Sequence, residues 1–281
     1  MLRKSEEALR ECKKMKTLKK IYNAKWFMPI LWTLIIIAVW ELFATVVELT
    51  EHSPENFLPH IGGIINSVIS AEKINGTQTA IGMVLQNAGA TLSRAGIGFA
   101  VGTALGFILA LLMSLFDTVE KIAFPYLMLI QMIPVLGLAP IILALTGDIA
   151  KSRIVIAAIL TFYPVAANTL AGFKSVQKEK HELMYSYAAG VGQFYFKTMF
   201  PACLPYFFTG LKIAAPMAIT ASILVDTLQG GVGLGCLLSQ SLKGAMTRYV
   251  FWQIIVLSAV IGVLSFVIIG FTEKLICRHR Q

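Results

Sequence analysis

Long apolar stretches are the feature that most restricts how this chain can fold. Each is about 20 residues or more, the length that a helix needs to cross a hydrocarbon core of about 30 Å. Only 14% of the 281 residues are charged and 57% are hydrophobic, whereas soluble domains have about 25% charged residues. The pattern predicts an all-α, polytopic membrane protein with six spans, at residues 27–47, 92–116, 122–146, 154–173, 206–228 and 251–271.

Prolines interrupt the third and fourth predicted spans. A proline inside a helix removes one backbone hydrogen bond and bends the helix, which a helix bundle can accommodate in a membrane. We therefore expect kinks in these two spans, at Pro125, Pro134, Pro140 and Pro164.

The second span carries small residues at every fourth position. Such a ridge lets another helix approach closely, and close packing drives helix association in lipid. The ridge predicts a helix contact within the chain, while a contact between subunits remains an alternative. Its members are Gly98, Gly102, Gly106, Ala110 and Ser114.

The positions of lysine and arginine predict the topology. Eighteen of the 24 lie in the arm before residue 26, the 117–121 turn, the loop 173–212 and the tail, and six lie on the other side. Cytoplasmic segments carry such an excess. Both termini and the loop are therefore predicted to be cytoplasmic. The net charge of +9 is explained by this orientation and predicts contact with the lipid bilayer, not with nucleic acid. The basic arm, residues 1–25, is either an amphipathic helix on the inner membrane surface or a solvated arm.

Few polar side chains lie inside the predicted spans. Gln131, Asn168 and Asp226 either bond to neighbouring helices or line a polar path, and Glu41 is expected to reach the membrane interface. The sequence contains no catalytic cluster of residues and no phosphate-binding GxxxxGK[ST] loop. Its four cysteines are scattered, which argues against a metal site. We therefore expect no catalytic activity, metal or cofactor, so any ATP hydrolysis would belong to another chain.

The loop 173–212 contains the residues that suggest a family. It has Glu182, then Ala188-Ala189, then the segment 201–205 with a proline at each end, and Thr209-Gly210-Leu211-Lys212. This order resembles the EAA loop of permease subunits of bacterial ABC importers, in the nitrate, sulfonate and taurine branch.

Further elements of that branch follow in order along nearly the whole chain after the arm. They are Trp40-Glu41-Leu42, Leu58-Pro59, the segment from Thr91 to Arg94, Ile133-Pro134, Ala139-Pro140, Phe162-Tyr163-Pro164 with Asn168, Val225-Asp226 and Gly233-Leu234-Gly235. Three positions depart from the family pattern. Leu183 and Met184 replace its alanines, and Ala188 replaces its glycine, so Gly190 and Gly192 are expected to supply the bend.

The resemblance implies the transmembrane subunit of an ATP-driven importer. Its partners would be cytoplasmic ABC ATPase subunits, an extracytoplasmic solute-binding protein and a second permease copy, most simply in a homodimer. The chain would have a transmembrane domain over residues 26–281, of the six-helix type I importer kind, in the bacterial inner membrane. Its solute would be a small anion such as a sulfonate, taurine or nitrate.

A coupling loop, residues 174–205, would then seat a short helix, around Met184 to Phe196, in the ATPase. Tyr187, Phe194 and Tyr195 would add aromatic anchors. The implied coupling residues are Glu182, Tyr185, Ala188, Ala189, Gly190, Gly192, Pro201 and Pro205. Gln131, Asn168 and Asp226 are the candidates for lining the translocation path.

Two other classes of protein remain alternatives. A secondary transporter or channel needs no ATPase, but it would be expected to show internal repeats or more paired intramembrane charges. A membrane-embedded enzyme would need several catalytic groups at one depth. The sequence leaves the solute open among sulfonate, taurine, nitrate and pyrimidine-type compounds, because selectivity in such importers rests largely with the binding protein.

Overall fold

The computed structural model describes residues 27–50, 58–69, 73–74, 78–243 and 248–277. The chain separates into two compact units, residues 1–70 and residues 71–281. The basic arm, residues 1–25, lies outside the described residues, so its predicted amphipathic helix stays a prediction.

The described part of the first unit contains two helices, α1 (Phe27–Thr50) and α2 (Ile61–Ile69). The indole nitrogen of Trp40 in α1 donates a hydrogen bond of 3.1 Å to the carbonyl oxygen of Pro59. This bond joins the two family-like elements at residues 40–42 and 58–59.

The second unit is helical apart from one short hairpin among its described residues. The hairpin pairs Lys73 with Thr79 and Ile74 with Gln78. In chain order the elements are β1 (Lys73–Ile74), β2 (Gln78–Thr79), α3 (Ala80–Leu115), α4 (Asp117–Met132), α5 (Val135–Thr146), α6 (Ile149–Lys174), α7 (Lys178–Ser186), α8 (Val191–Phe194), a π-helical turn (Tyr195–Met199), α9 (Phe200–Gln229), α10 (Leu234–Leu242) and α11 (Arg248–Cys277).

Among the residues that the structure describes, five helices are long and apolar enough to cross a membrane, and a bent pair makes a sixth span if it counts as one. This confirms the all-α class.

The third predicted span, 122–146, is not one helix, because α4 ends at Met132 and α5 continues at an angle of 111°. Pro134 lies at this break, whereas Pro125, Pro140 and Pro164 lie inside helices. The fourth span is therefore unbroken as α6.

Local capping explains where α3 and α6 begin. The hydroxyl oxygen of Thr79 accepts the amide of Gly82 at the start of α3. Gly147 has φ of 64° and ends α5, and the Asp148 carboxylate then accepts the amide of Lys151 in α6. A glycine in the left-handed region followed by an aspartate N-cap allows this tight connection.

Helix α6 forms the centre of the second unit, because α3 and α9 both pack against it closely. A Cβ atom at Gly98 of α3 would lie 2.5 Å from the Cβ of Ala157 in α6, and one at Gly106 would lie 2.7 Å from the carbonyl oxygen of Phe162. A Cβ at Gly210 of α9 would lie 2.9 Å from the carbonyl oxygen of Pro164. The small-residue ridge of α3 therefore makes an intramolecular contact, as predicted.

The two ends of this three-helix centre differ in chemistry. One end joins the last turns of α3 and α6 to the start of α9, through a buried apolar cluster that contains Met113, Phe173, Met199 and Cys203. We call it the coupling-loop end. The opposite end, where α9 finishes and the glycine-rich residues 230–233 follow, holds buried arginine and aspartate side chains. We call it the glycine-loop end.

Candidate functional site

The coupling loop folds into two short helices with a turn between them. Helix α7 ends at Ser186 and α8 begins at Val191. The prediction of a single helix around Met184 to Phe196 is therefore wrong. From Val191 onward the chain is helical through the π-helical turn and α9 to Leu228, a run of 38 residues. The second half of the coupling loop is thus a direct extension of a membrane-spanning helix.

The bend between α7 and α8 lies at Ala188. This residue has φ of 50°, and no other non-glycine residue among those described has a positive φ. The family pattern has glycine at this position, and glycine adopts that conformation without the steric cost that a Cβ brings. Gly190 caps α8 with φ of −67°, and Gly192 lies in α8 with no positive φ. The expectation that these two glycines supply the bend is wrong.

Several apolar side chains of the coupling loop are exposed. Tyr185 is 88% exposed and Tyr187 is 77% exposed. The predicted coupling residue Glu182 is also exposed, on the same helix as Tyr185. Large apolar groups exposed on a polar, basic segment are typical of a protein contact surface. The large apolar residues exposed on the coupling loop are Leu183, Tyr185, Tyr187, Val191 and Phe196. We call them the exposed apolar side chains.

Two of the predicted aromatic anchors face the chain itself. Phe194 and Tyr195 pack against the buried cluster of the coupling-loop end. The Tyr195 hydroxyl donates a hydrogen bond of 3.0 Å to the carbonyl oxygen of Ser114 at the end of α3. The ring of His181 in α7 lies 4.2 Å from that of Phe194. These contacts fix the loop on the bundle, so of the four predicted aromatic anchors Tyr185 and Tyr187 are the two that stay exposed to a partner.

The remaining predicted coupling residues lie along the same segment. Ala189 is half-buried, and its amide bonds to the carbonyl oxygen of Met184 at 3.1 Å. Pro201 is half-buried at the start of α9, and Pro205 lies one turn later inside that helix. Lys212, two turns further on, forms an ion pair with Glu273 of α11. Helix α9 is therefore fixed to a second long helix just beyond the loop.

At the glycine-loop end, four side chains from three helices form a buried cluster, which we call the charge cluster: Thr91, Arg94, Arg153 and Asp226. The carboxylate of Asp226 is completely buried; its Oδ1 lies 3.2 Å from Nη1 of Arg94 and 3.0 Å from Nε of Arg153. Its Oδ2 accepts the hydroxyl of Thr91 at 2.7 Å. A buried carboxylate requires such paired charges and hydrogen bonds.

The charge cluster also holds the chain that follows α9. Residues 230–233, the glycine loop, connect α9 to α10. The carbonyl oxygen of Val232 accepts from Nη2 of Arg94 at 2.5 Å and from Nη1 of Arg153 at 3.2 Å. Arg153 also donates to the carbonyl oxygen of Gly230. Both arginines thus use their nitrogens within the chain, so they are not free to bind a solute in this conformation.

The three predicted path residues have different surroundings. Gln131 is exposed near the end of α4. Asn168 is half-buried in α6 and donates to the carbonyl oxygen of Pro164 at 2.7 Å. Asp226 is paired inside the chain, as described above. Their part in a translocation path stays a prediction, and only Gln131 presents an exposed side chain.

Sequence reasoning missed the partners of Asp226. Nothing in the sequence pairs Arg94 or Arg153 with Asp226, because they lie 132 and 73 positions before it along the chain. The sequence does show an aspartate inside one predicted span and an arginine near the end of each of two others. Such charges usually find partners in the bundle interior.

A second polar group lies in the first unit. His60 Nδ1 is 2.5 Å from a carboxylate oxygen of Glu41, and His60 Nε2 is 3.2 Å from one of Glu48. The other oxygen of Glu41 accepts the amide of Ile61 at 3.0 Å and so caps α2. Glu41 was expected to reach the membrane interface. The structure shows that its carboxylate is also paired within the chain. Its hydrogen bond, with that of Glu48, raises the pKa of His60.

We expect this contact to weaken as the pH rises. Both ring nitrogens of His60 face carboxylates, so the doubly protonated imidazolium is the form that fits. Because the folded pKa is raised, the stabilisation is complete below about pH 6.5 and is lost as the pH rises through the raised value. NMR titration of the His60 ring should show this raised pKa, and Glu48→Gln should lower it. A titration midpoint at or below that of an unfolded peptide would contradict the assignment.

Comparison with known proteins agrees with these features. Residues 102–277 match the family described as binding-protein-dependent transport system inner membrane component. The chain is 30% identical to the formylaminopyrimidine transport permease ThiX of Halalkalibacterium halodurans, over 94% of this chain and 99% of that protein. It is 26% identical to the nitrate import permease NrtB of Synechocystis, over 99% and 98% respectively.

A solved structure shares the fold. The methionine ABC transporter MetNI, in an inward-facing conformation, contains a chain with a TM-score of 0.57 and 18% identity, covering 70% of this chain and 95% of that one.

The chain belongs to the inner-membrane component family of binding-protein-dependent transport systems. It is a permease subunit of an ABC importer and a multi-pass protein of the inner membrane. In such importers the permease is the membrane component and ATP hydrolysis lies in a separate subunit.

Proposed function

We propose that this permease imports a small solute by coupling its α9 helix to a cytoplasmic ATPase through the coupling loop. The observation that carries this proposal is the continuous helix from Val191 to Leu228. It begins four residues after Tyr187, and it ends two residues after Asp226 of the charge cluster. A stiff helix of this kind transmits movement from a docking surface to the opposite end of the bundle.

The docking surface consists of the exposed apolar side chains of the coupling loop. Aromatic groups commonly supply most of the binding energy at protein interfaces. Glu182 and the basic residues of the loop lie on the same segment and suit a polar rim. Because an ATPase is cytoplasmic, this docking places the coupling-loop end inside the cell and the glycine-loop end outside. That orientation agrees with the distribution of lysine and arginine.

The remaining partners follow from the family. A second copy of this permease would complete the membrane unit, and an extracytoplasmic binding protein would deliver the solute. Gln131 and Asn168 remain our candidates for the path between the copies. Asp226 stays a candidate only if the charge cluster opens during transport.

We infer that the solute is a small anion, as for the nitrate permease to which this chain is similar over almost its whole length. A formylaminopyrimidine is the second candidate, because the similarity to ThiX is also full-length and reaches 30% identity. Thermal-shift measurements on the cognate binding protein with nitrate, taurine and an aminopyrimidine would separate the two. Stabilisation by the aminopyrimidine alone would exclude the anion.

We expect Tyr185→Ala to weaken ATPase binding strongly. Because the side chain of Tyr185 is 88% exposed, its truncation is expected to leave the fold intact and to remove a partner contact worth about 2 kcal/mol or more, or roughly 30-fold in affinity. Co-purification of the ATPase with the permease from solubilised membranes measures this. Membrane insertion and thermal stability of the permease should be unchanged.

Two variants serve as controls. Tyr185→Phe keeps the aromatic ring and should retain the ATPase. Leu242→Ala removes an exposed apolar side chain on α10 and should also retain it. Wild-type recovery of the ATPase with Tyr185→Ala, and with Tyr187→Ala, would count against the docking surface.

A further inference from the structure

The sequence of the glycine loop does not by itself favour one backbone conformation. Gly230, Gly231 and Gly233 have φ of 69°, 90° and 152°, and Val232 is 57% exposed. A segment with three glycines in four residues has many alternative conformations in the absence of outside contacts.

Other helices supply the contacts that order it. The amide of Gly233 donates to the Asn87 side chain at 2.8 Å, and the amide of Leu234 donates to the Thr91 hydroxyl at 2.9 Å. Two arginines hold the carbonyl oxygen of Val232. The loop thus depends on residues of α3 and α6, although it follows α9 in the chain.

Asp226 links these contacts to α9. Its carboxylate holds the same two arginines and the same Thr91 hydroxyl that hold the loop. A movement of α9 against α3 and α6 therefore changes the donors available to the loop. Because a buried arginine without its carboxylate is unfavourable, the cluster resists gradual separation and favours distinct arrangements.

We propose that Asp226 is a positioning residue that makes the glycine loop respond to the state of the ATPase. The loop and the coupling loop lie at opposite ends of one helical run, about 57 Å for its 38 residues at 1.5 Å each. When the ATPase docked at the coupling-loop end binds ATP, α9 moves and the charge cluster rearranges. The glycine loop then changes shape on the side where solute enters. This role rests on the proposed function.

Hydrogen exchange of the assembled transporter tests the proposal. The permease–ATPase complex in nanodiscs is measured with and without a non-hydrolysable ATP analogue and Mg²⁺, at the amides of Gly233 and Leu234. In the wild type, we expect the nucleotide to change their exchange by about two- to tenfold, the effect of losing or gaining a single hydrogen bond.

The matched variants alter a single hydroxyl. Thr91→Val has nearly the same shape but can neither donate to Asp226 nor accept from Leu234, so loop exchange should rise and no longer follow the nucleotide. Thr91→Ser keeps the hydroxyl and should restore the nucleotide response. If Thr91→Val does not fold, Asn87→Ala serves instead, because it removes the Gly233 contact without altering the buried charges.

The hydrogen-exchange results separate the positioning role of Asp226 from the proposed coupling to the ATPase. Loop exchange that ignores the nucleotide, while residues 178–196 respond to it, would overturn the positioning role and leave the proposed function standing. A nucleotide response that persists unchanged in Thr91→Val and Asn87→Ala would also overturn it. Absence of any protection of residues 178–196 by the ATPase would overturn both.

Discussion

Asp226→Ala is expected to prevent most of the chain from reaching a stable fold. The substitution leaves Arg153, whose side chain is only 3% exposed, without its carboxylate. Breaking a buried ion pair by removing one partner costs about 3–5 kcal/mol, whereas total stabilities are about 5–15 kcal/mol. The two arginines would then keep neutral carbonyl oxygens, including those of Val232 and Gly230, as partners in place of the carboxylate.

The measurement is the yield and unfolding temperature of the detergent-solubilised protein. Asp117→Ala is the control, since Asp117 is exposed at the first turn of α4 and its charge is worth at most about 1 kcal/mol there. Removing the excess charge in Asp226→Ala/Arg94→Gln should recover part of the loss. If Asp226→Ala kept wild-type stability and lost only transport, Asp226 would be a solute ligand instead.

Gly102→Ala is expected to destabilise the centre of the bundle. A Cβ atom at this position of α3 would lie 3.0 Å from the Cβ of Thr161 and still closer to the Thr161 hydroxyl and the Ala158 carbonyl oxygen of α6. A backbone carbonyl cannot rotate away, so the two helices must separate. Overpacking of this kind costs about 1–3 kcal/mol, and Gly102→Leu should cost more.

Gly96→Ala provides the matched control on the same helix. Nothing lies within 4 Å of a Cβ at Gly96, and alanine is a better helix former than glycine by about 0.5–1 kcal/mol. Thermal unfolding should therefore move in opposite directions for the two variants. Equal unfolding temperatures for Gly96→Ala and Gly102→Ala would show that α3 and α6 do not pack as described.

Features that depend on local sequence were predicted well. Apolar length located the long helices, because crossing a membrane sets a minimum number of apolar residues. The four-residue spacing of Gly98, Gly102 and Gly106 predicted a close helix contact, since these positions share one face. Its partner, α6, could not be predicted, because helix pairing depends on the whole bundle.

Prolines were harder to interpret. Pro125, Pro140 and Pro164 lie inside helices, while the chain breaks only near Pro134. Each proline removes one hydrogen bond, and the neighbouring helices decide whether the helix continues. The sequence of the third span therefore could not show which proline ends α4.

The bend of the coupling loop was predicted at the wrong residues. Gly190 and Gly192 permit a positive φ, but Ala188 adopts it. Amino-acid preference favours glycine at such a position, yet the surrounding contacts, including the ring of His181 against Phe194, fix where the chain turns. The charge cluster escaped prediction for a related reason, because its members meet only when α3, α6 and α9 are packed together.

The proposed function depends on contact between the coupling loop and the ATPase. The most direct measurement replaces Tyr185 with a photo-crosslinking amino acid in cells that produce the whole transporter. Illumination should join the permease to the ATPase subunit, whereas the same amino acid at Leu242, on α10 at the other end of the bundle, should give no such product. An ATPase adduct at position 242 and none at positions 185 and 187 would contradict this contact.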